Sequence, residues 1–409
     1  MDITPAALEP LFPPESRHYG ELEDLAREVY TRSAELGGRL HPITLETIVG
    51  HLRLVNSYYS NRIEGHSTHP VDIERAIKAD LSQDPAQRTL QLESRAHVEV
   101  QAALDGRLAA EPDLRVADPD VLRWLHQAFY EQLPEVLCWV TDPDTGERLK
   151  VEPGRLRERT VEVGEHVAPP AERLPAVLER FGDFYRFERF HGLQPLIAIA
   201  AAHHRIMWIH PFLDGNGRVA RLMTDGAFRR IGVTGYGLWN VSRGLARRRD
   251  DYMAALAEAD SPRRGDLDGR GNLSREGLTH FCHFFLETCL DQVDYMNQQL
   301  RLESLTDRIH GYVDLCSRRM LPGQPRLRPE AVHLLREVLL RGEISRGEAP
   351  RVTGLAERTA RMVLRELLEA GLLHSESPKR PVRLGMPASV APRWFPDLYP
   401  EATPTGFER

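Results

Sequence analysis

The feature that most restricts the fold of this chain is the string HPFLDGNGRVAR, which runs from His210 to Arg221. An apolar helical pattern ends just before it at Ile209, and another begins near Gly217. The string therefore predicts a helix, a tight loop and a second helix. Gly215-Asn216-Gly217 stands at the start of the second helix, where unpaired backbone N–H groups and the helix dipole attract an anion. We expect a phosphate cradle at this turn.

Four side chains of the string have the chemistry to act on a phosphate in this cradle. Arg218 and Arg221 are three residues apart, so they share a helix face and can place two guanidinium groups beside the outer phosphates of a nucleotide. Asp214 precedes the cradle, where a carboxylate can hold Mg²⁺. His210, at the loop entrance, is suited to act as a general base toward a hydroxyl. The alternative is a plain helix–helix turn with surface arginines.

The residues from His210 to Arg218 resemble the signature of the Fic family, which reads HPFx, then Asp or Glu, then GNGR, and the step to Arg221 also matches. The resemblance implies transfer of AMP from Mg-ATP to a Tyr, Ser or Thr hydroxyl of a protein, including this protein itself. His210 would be the base and Asp214 the Mg²⁺ ligand. The phosphates would be held by Gly215, Asn216, Gly217, Arg218 and Arg221.

A second resemblance lies in the segment SNRIEG, from Ser60 to Gly65, which is similar to the inhibitory-helix motif of the family. Ser60 and Glu64 are four residues apart and face one side of a helix, which Gly65 is suited to end. In the family this glutamate pairs with the second arginine, here Arg221, so that ATP binds only in an unproductive pose. The resemblance implies an N-terminally autoinhibited Fic protein, although a solvated helix end also explains so short a pattern.

The resemblance covers about residues 45 to 300 and implies two further parts of the site. Segments 149–151 and 160–163 alternate in polarity around Pro153-Gly154, which predicts a β-hairpin. The family's target-binding flap is expected at Thr160, Val161, Glu162 and Val163. Tyr252 is expected either near the nucleotide base or in the core.

Residues 328–386 predict a separate C-terminal unit that resembles a winged helix. Helices are expected near 330–341, 346–352 and 357–370, followed by an extended segment through residue 383. Residues 328–385 hold 11 Lys and Arg against 8 Asp and Glu, so they carry about +3 while the rest of the chain carries about −10. The third helix has a basic face, weakened by glutamates, made of Arg358, Arg361 and Arg365. This unit is expected to bind either DNA or protein.

Helical periodicity dominates the remaining chain and predicts helices at 119–132, 172–187, 193–208, 217–231, 243–259 and 276–315. We expect an all-α protein with a Fic helical core, a small β-hairpin flap and a C-terminal winged helix-turn-helix domain. The expected divisions are an N-terminal helical region with the inhibitory helix (1–112), the Fic catalytic core (113–318), the winged helix (328–386) and a tail (387–409).

Composition narrows the class of protein. The 409 residues are 41% hydrophobic with a net charge of −7, which argues against disorder and against a surface that binds nucleic acid all over. The N-terminus lacks a signal-peptide pattern, no apolar run approaches a membrane span, and the four cysteines are scattered. These features predict a cytoplasmic protein without a membrane partner. The rival functions are another Fic chemistry, with a different nucleotide or with AMP removal, and a nucleotide-sensing DNA-binding regulator.

Overall fold

A computed structural model of the protein describes residues 5–13, 17–142, 145–163 and 166–400. Its regular structure is almost entirely helical, and the described residues contain only short strands. The predicted all-α class with a small β component is therefore confirmed. The buried apolar side chains form one connected core. In this described part, no helix is both long enough and apolar enough to cross a membrane.

The N-terminal region contains α1 (Tyr19–Gly37), α2 (Pro42–Ile63), α3 (Pro70–Ile77) and α4 (Pro85–Ala110). The last three helices each begin with proline directly after a capping residue, which is His41, His69 or Asp84. The capping side chain accepts a hydrogen bond from the first turn, and proline lacks an N–H that would otherwise be unsatisfied. The local sequence thus determines where these helices start.

The central region holds the remaining large helices: α5 (Pro119–Tyr130), α6 (Leu174–Phe184), α7 (Gln194–Ile209), α8 (Asn216–Arg230), α9 (Val241–Arg247), α10 (Arg249–Ala259), α11 (Arg275–Gln299) and α12 (Leu302–Ser317). Helix α7 is buried along most of its length and packs against α6, α8 and α11. The loop of the HPFLDGNGR string is therefore anchored on the most apolar helix of the core.

Two predicted helices are each broken in the structure. The stretch 243–259 is interrupted at Arg248, which has φ −115° and ψ 40°, and the stretch 276–315 is interrupted at Leu300 and Arg301. Arg301 is extended, with φ −61° and ψ 118°, while Leu300 is fully buried. Continuous helical periodicity does not reveal such a break, because the residues on both sides still face the core.

The predicted hairpin pairing is wrong, although strands form at both places. Strand β1 (Trp139–Thr141) pairs with β2 (Arg148–Lys150), and β3 (Glu162–Val163) pairs with β4 (His166–Val167). The turn at Gly154 is instead held to α5, because its N–H donates to His126 Nδ1 at 2.8 Å. Pro153-Gly154 therefore connects two small hairpins and does not close one larger one.

The C-terminal unit contains α13 (Ala331–Arg341), β5 (Glu343–Ile344), α14 (Ala349–Thr353), α15 (Glu357–Glu369), β6 (Leu373–His374) and β7 (Val382–Leu384). Its strands form an antiparallel sheet in the order β5-β7-β6. The unit packs on the first half of α2, where Thr44 Oγ1 donates to the Leu339 carbonyl at 3.0 Å. The winged-helix assignment of this unit stays a prediction.

Residues 387–400, which the sequence analysis assigned to a tail, pack into the protein. They include α16 (Ala391–Trp394) and bury Phe395, Leu398 and Tyr399. The Tyr59 hydroxyl of α2 donates to the Leu398 carbonyl at 2.9 Å. The aromatic and apolar side chains of this segment complete the core beside α2, so the expected tail boundary at 387 is wrong.

Candidate active site

His210 caps the C-terminus of α7 in a left-handed conformation, with φ 48° and ψ 61°. Glycine is the usual residue in this conformation, so a histidine here indicates that its ring is needed. Its Nδ1 lies 3.2 Å from the Met207 carbonyl oxygen, which can only accept, so Nε2 carries no proton in the neutral ring. Burial lowers the pKa of His210 to about 4. The imidazole is therefore a neutral proton acceptor at physiological pH.

The loop after His210 is fixed by its own side chains. Asn216 accepts from the Phe212 N–H at 2.9 Å and donates to the Phe212 carbonyl at 2.8 Å. The Phe212 ring stacks on His126 at a centroid distance of 4.1 Å. Gly215 has φ 78°, and a Cβ there would lie 2.7 Å from the Tyr130 ring. Because the Asn216 side chain binds the loop, only its backbone is available to the cradle.

Asp214 lies at the edge of the cradle with its carboxylate 39% exposed. The Tyr130 hydroxyl donates to Oδ2 at 2.6 Å, and Arg218 Nη2 approaches the same oxygen at 3.4 Å. Burial alone would raise the pKa of Asp214, but the Arg218 charge and the Tyr130 hydrogen bond outweigh it and lower the pKa. The carboxylate is ionised, and its oxygens are donors that Mg²⁺ prefers.

The donor set around Asp214 fits a magnesium ion that is shared with a substrate. The described residues contain no group of three or more His, Cys, Asp or Glu placed to hold a metal. A cation at Asp214 would therefore take its other ligands from phosphate oxygens and water, as Mg²⁺ in nucleotide sites does.

The first arginine of the string is held by a carboxylate that the sequence analysis did not identify. Arg218 is 5% exposed and donates to Glu93 of α4, which is 1% exposed. The guanidinium also lies over the Phe129 ring, 5.1 Å from its centroid, and His66 Nδ1 contacts the other oxygen of Glu93 at 2.8 Å. Glu93 thus fixes the direction in which Arg218 points.

The second arginine is bound to the end of α2. Arg221 is 3% exposed; its Nε donates to Ser60 Oγ at 2.9 Å and its Nη2 donates to the Ser60 carbonyl at 3.1 Å. The same Nη2 donates to Glu64 Oε1. The predicted contact between the SNRIEG segment and this arginine is therefore present, and Gly65, with φ 87°, ends the helix as expected.

The Glu64 carboxylate lies next to Gly217, the second glycine of the cradle. A Cβ built on Gly217 would collide with Glu64 Oε1. Burial would raise the pKa of Glu64, but the charges of Arg221 and Arg218 lower it, so the group is an anion. A negatively charged oxygen of the protein thus occupies the space next to the first turn of α8, where we expect a phosphate oxygen to bind.

The remaining predicted site residues lie in two places. Tyr252 is fully buried and its hydroxyl is 2.8 Å from His203 Nε2; the expected contact with the nucleotide base stays a prediction. Residues 160–163 lie at the first strand of the β3-β4 hairpin, next to the end of α7. His166 of β4 makes this connection, because its Nε2 donates to the Trp208 carbonyl at 2.7 Å.

Residues 117–226 match the model of the Fic/DOC family. This segment of the chain is therefore a Fic/DOC domain. The chain is similar to the protein adenylyltransferase Fic of Drosophila willistoni, with 28% identity over 143 residues that cover 34% of this chain and 29% of the relative. Its counterpart in Nematostella vectensis is 27% identical over 179 residues, 43% of this chain and 37% of the relative. These alignments span well under half of the relatives' length.

Solved structures of Fic proteins share the fold. A Fic family protein from Desulfovibrio desulfuricans G20 superposes with a TM-score of 0.52 and 21% identity, covering 90% of this chain and 96% of its own. Fic-1 (residues 134–508) from C. elegans superposes with a TM-score of 0.53 and 17% identity, covering 68% and 73%. The first likeness extends beyond the Fic domain to nearly all of this chain.

Proposed function

We propose that this Fic protein transfers AMP from Mg-ATP to the hydroxyl of a Tyr, Ser or Thr side chain on a protein, including itself. The observation that carries the proposal is the neutral His210 imidazole beside the anion cradle of α8, with Asp214 and Arg218 on the same loop and helix. The names of the similar proteins from Drosophila and Nematostella support the reaction class.

In the proposed reaction, His210 Nε2 accepts the proton of the target hydroxyl as its oxygen attacks the α-phosphorus. The bond from that phosphorus to the bridging oxygen breaks, and pyrophosphate leaves. Asp214 would hold Mg²⁺, which neutralises phosphate charge when it is bound. The backbone of Gly215 to Gly217 and the side chain of Arg218 bind and orient the phosphates, so positioning and charge provide most of the rate enhancement.

We further propose that Glu64 inhibits the reaction. Its carboxylate occupies both Arg221 and the space over Gly217. An ATP molecule that binds in this state cannot place an outer phosphate against Arg221. The triphosphate then adopts a different path through the cradle, and the α-phosphorus does not face the hydroxyl.

A cytoplasmic location remains a prediction from the sequence.

Mass spectrometry tests the proposed reaction. We expect the Glu64→Gly protein, incubated with Mg-ATP, to gain the mass of one AMP group on a hydroxyl side chain. Parallel incubations with GTP, CTP and UTP test the rival in which another nucleotide is transferred. If no nucleotide is transferred while ATP still binds, the nucleotide-sensing regulator becomes the better account.

Asp214→Ala is expected to reduce AMP transfer by about 100-fold or more, because the loss removes the only carboxylate of the loop that can hold the metal. The rate of the variant should no longer depend on Mg²⁺ concentration between micromolar and millimolar values. Asp260→Asn, at a carboxylate away from the cradle that contacts His204, is the control. Transfer by the unaltered protein that persists in excess chelator would contradict the metal assignment.

A second function is supported by the C-terminal unit. Helix α15 exposes Arg358, Arg361 and Arg365, as the sequence predicted. Two of these charges are partly compensated, because Arg361 pairs with Glu357 and Arg365 approaches Glu369 at 3.6 Å. Lys379 and Arg380, between β6 and β7, are also exposed. We propose duplex DNA as the partner of this surface.

The full chain, and not a fragment, is the right sample for this test, because the C-terminal unit packs on α2. We expect a DNA duplex to bind with an affinity that falls steeply as salt rises, and the triple change of Arg358, Arg361 and Arg365 to Ala to remove about three units of the salt slope. Replacing Arg318, Arg319 and Arg326 outside the unit is the control. If binding is absent at low salt, the unit docks protein instead.

A further inference from the structure

Arg157, in the connection between β2 and β3, is a buried cation that the sequence analysis did not identify. Its side chain is 4% exposed, and among the described residues no carboxylate forms an ion pair with it. Burial lowers the pKa of Arg157 to about 10, so the guanidinium remains charged at neutral pH. An unpaired buried charge is costly, and its position therefore needs an explanation.

The guanidinium is satisfied by four main-chain carbonyl groups. Nε donates to His210 O at 2.7 Å, and Nη1 donates to Arg159 O at 2.6 Å. Nη2 donates to Pro169 O and, at 3.4 Å, to Ile209 O. Two of these acceptors belong to Ile209, the last residue of α7, and to its capping residue His210, where a cation also interacts favourably with the helix dipole.

The other two carbonyls lie on either side of the β3-β4 hairpin. Arg159 precedes the hairpin and Pro169 follows it, and Ala168 N donates to Val161 O at 3.1 Å to close its base. The backbone N–H of Arg157 also donates to the Pro211 carbonyl at 3.0 Å. One side chain thus holds both ends of the hairpin and the backbone of the proposed base.

We propose that Arg157 is a positioning residue that sets the distance between the β3-β4 hairpin and His210. The inference rests on the proposed function, in which His210 accepts the proton of the target hydroxyl, and on the expected role of the hairpin as the target-binding flap. The separation of the hairpin and His210 must be fixed to within a fraction of an ångström, so that the hydroxyl reaches the imidazole and the α-phosphorus together. A single planar group with five donors can impose that separation, whereas a lysine ammonium cannot reach four carbonyls in a plane.

The test uses the full chain with Glu64→Gly as parent, so that activity is not masked by inhibition. Arg157→Lys and Arg157→Gln are compared with Arg155→Ala, an exposed arginine of the same connection that pairs with Glu158 and not with α7. We expect the first two to lower kcat for self-modification by about 100-fold while KM for ATP stays within about twofold, because the cradle backbone is untouched. The control should behave as the parent.

Amide hydrogen exchange provides a second readout that needs no turnover. Loss of the Arg157 hydrogen bonds should speed amide exchange at two places. One is Ala168, at the base of the hairpin, and the other is His210, whose N–H donates to Ile206 O at 3.1 Å. Parent-like kcat in both Arg157 variants, or exchange that rises at Ala168 alone, would overturn the proposal. If Arg157→Gln fails to fold, Arg157→Lys decides. If the Glu64→Gly parent transfers no AMP, the proposed function is wrong. The exchange measurement then still tests whether Arg157 holds the hairpin and His210 together.

Discussion

Replacing Glu64 by glycine is expected to raise the initial rate of AMP transfer by about 10- to 150-fold. The Glu64–Arg221 contact is a charge-assisted hydrogen bond between a largely buried carboxylate and a fully buried guanidinium. Such a bond contributes about 1.5 to 3 kcal/mol, and each 1.36 kcal/mol corresponds to about a factor of ten in rate. Transfer of radiolabelled AMP to the protein itself, measured over the first minutes, gives the rate.

The structure explains why the arginine should remain useful after the change. Arg221 keeps its hydrogen bonds to Ser60 Oγ and to the Ser60 carbonyl, so its guanidinium stays beside the cradle when the carboxylate is gone. A carboxylate at the C-terminus of α2 also opposes the helix dipole, so its removal should cost the helix little. We therefore expect the melting temperature of Glu64→Gly to stay within a few degrees of the unaltered protein.

Three related variants distinguish loss of inhibition from a general destabilisation of the end of α2. Glu64→Gln should activate partly, because the amide fills the same space without the charge. Glu64→Gly combined with Arg221→Ala should be as slow as Arg221→Ala alone, since the glutamate is proposed to act only through that arginine. Arg62→Ala removes a charge from the same helical turn, where the nearest partner is Tyr58 OH at 3.4 Å, and should not activate. Equal rates in Glu64→Gly and the unaltered protein would refute the inhibitory role.

The short motifs could be predicted from the sequence because their geometry depends only on residues that are close together in the chain. A glycine-rich turn between two apolar helical patterns fixes a helix N-terminus, and the side chains at spacings of three and four then have defined directions. For this reason the predicted helix, loop and second helix around His210, Asp214 and Arg218 are present, while the roles of these residues stay predictions. The same local logic identified the end of α2 at Gly65, which has a positive φ angle.

Contacts between distant segments could not be read in this way. Glu93 lies in a polar stretch of α4, where Gln91, Ser94, His97 and Gln101 are also buried, and such a stretch resembles a solvent-facing helix surface in the sequence. Its burial depends on the partners that other helices supply, chiefly Arg218 and His66. No local pattern in the sequence therefore marks Glu93 as a partner of Arg218.

The strand pairing failed for a related physical reason. Alternation shows that a segment is extended, but it does not show which segment is its partner. Residues 149–150 pair with the earlier strand at 139–141. The segment between the two hairpins is bound to the end of α7 by the hydrogen bonds of Arg157. The aromatic residues near 394–399 were overlooked likewise, because their burial depends on α2 and not on local periodicity.

His210→Ala is expected to reduce AMP transfer by about 100- to 10,000-fold, which is the usual contribution of a positioned general base. The affinity for ATP should stay within about threefold, because the imidazole acts on the hydroxyl and the phosphates are bound by the cradle and Arg218. Both quantities are measured in the Glu64→Gly protein, by mass spectrometry for transfer and by calorimetry for ATP. His203→Gln, at a buried histidine of the same helix that contacts Thr224, is the matched control.

The pH dependence distinguishes a base from a ring that only fills space. Because burial lowers the pKa of His210 to about 4, the imidazole is unprotonated from pH 8 to about pH 5. The transfer rate of the Glu64→Gly protein should be nearly constant over that range and fall as the pH drops toward 4, since a protonated ring cannot accept the hydroxyl proton. The residual rate of His210→Ala should lack this fall. If both proteins lose activity in parallel as the pH is lowered, another group titrates and His210 is not the base.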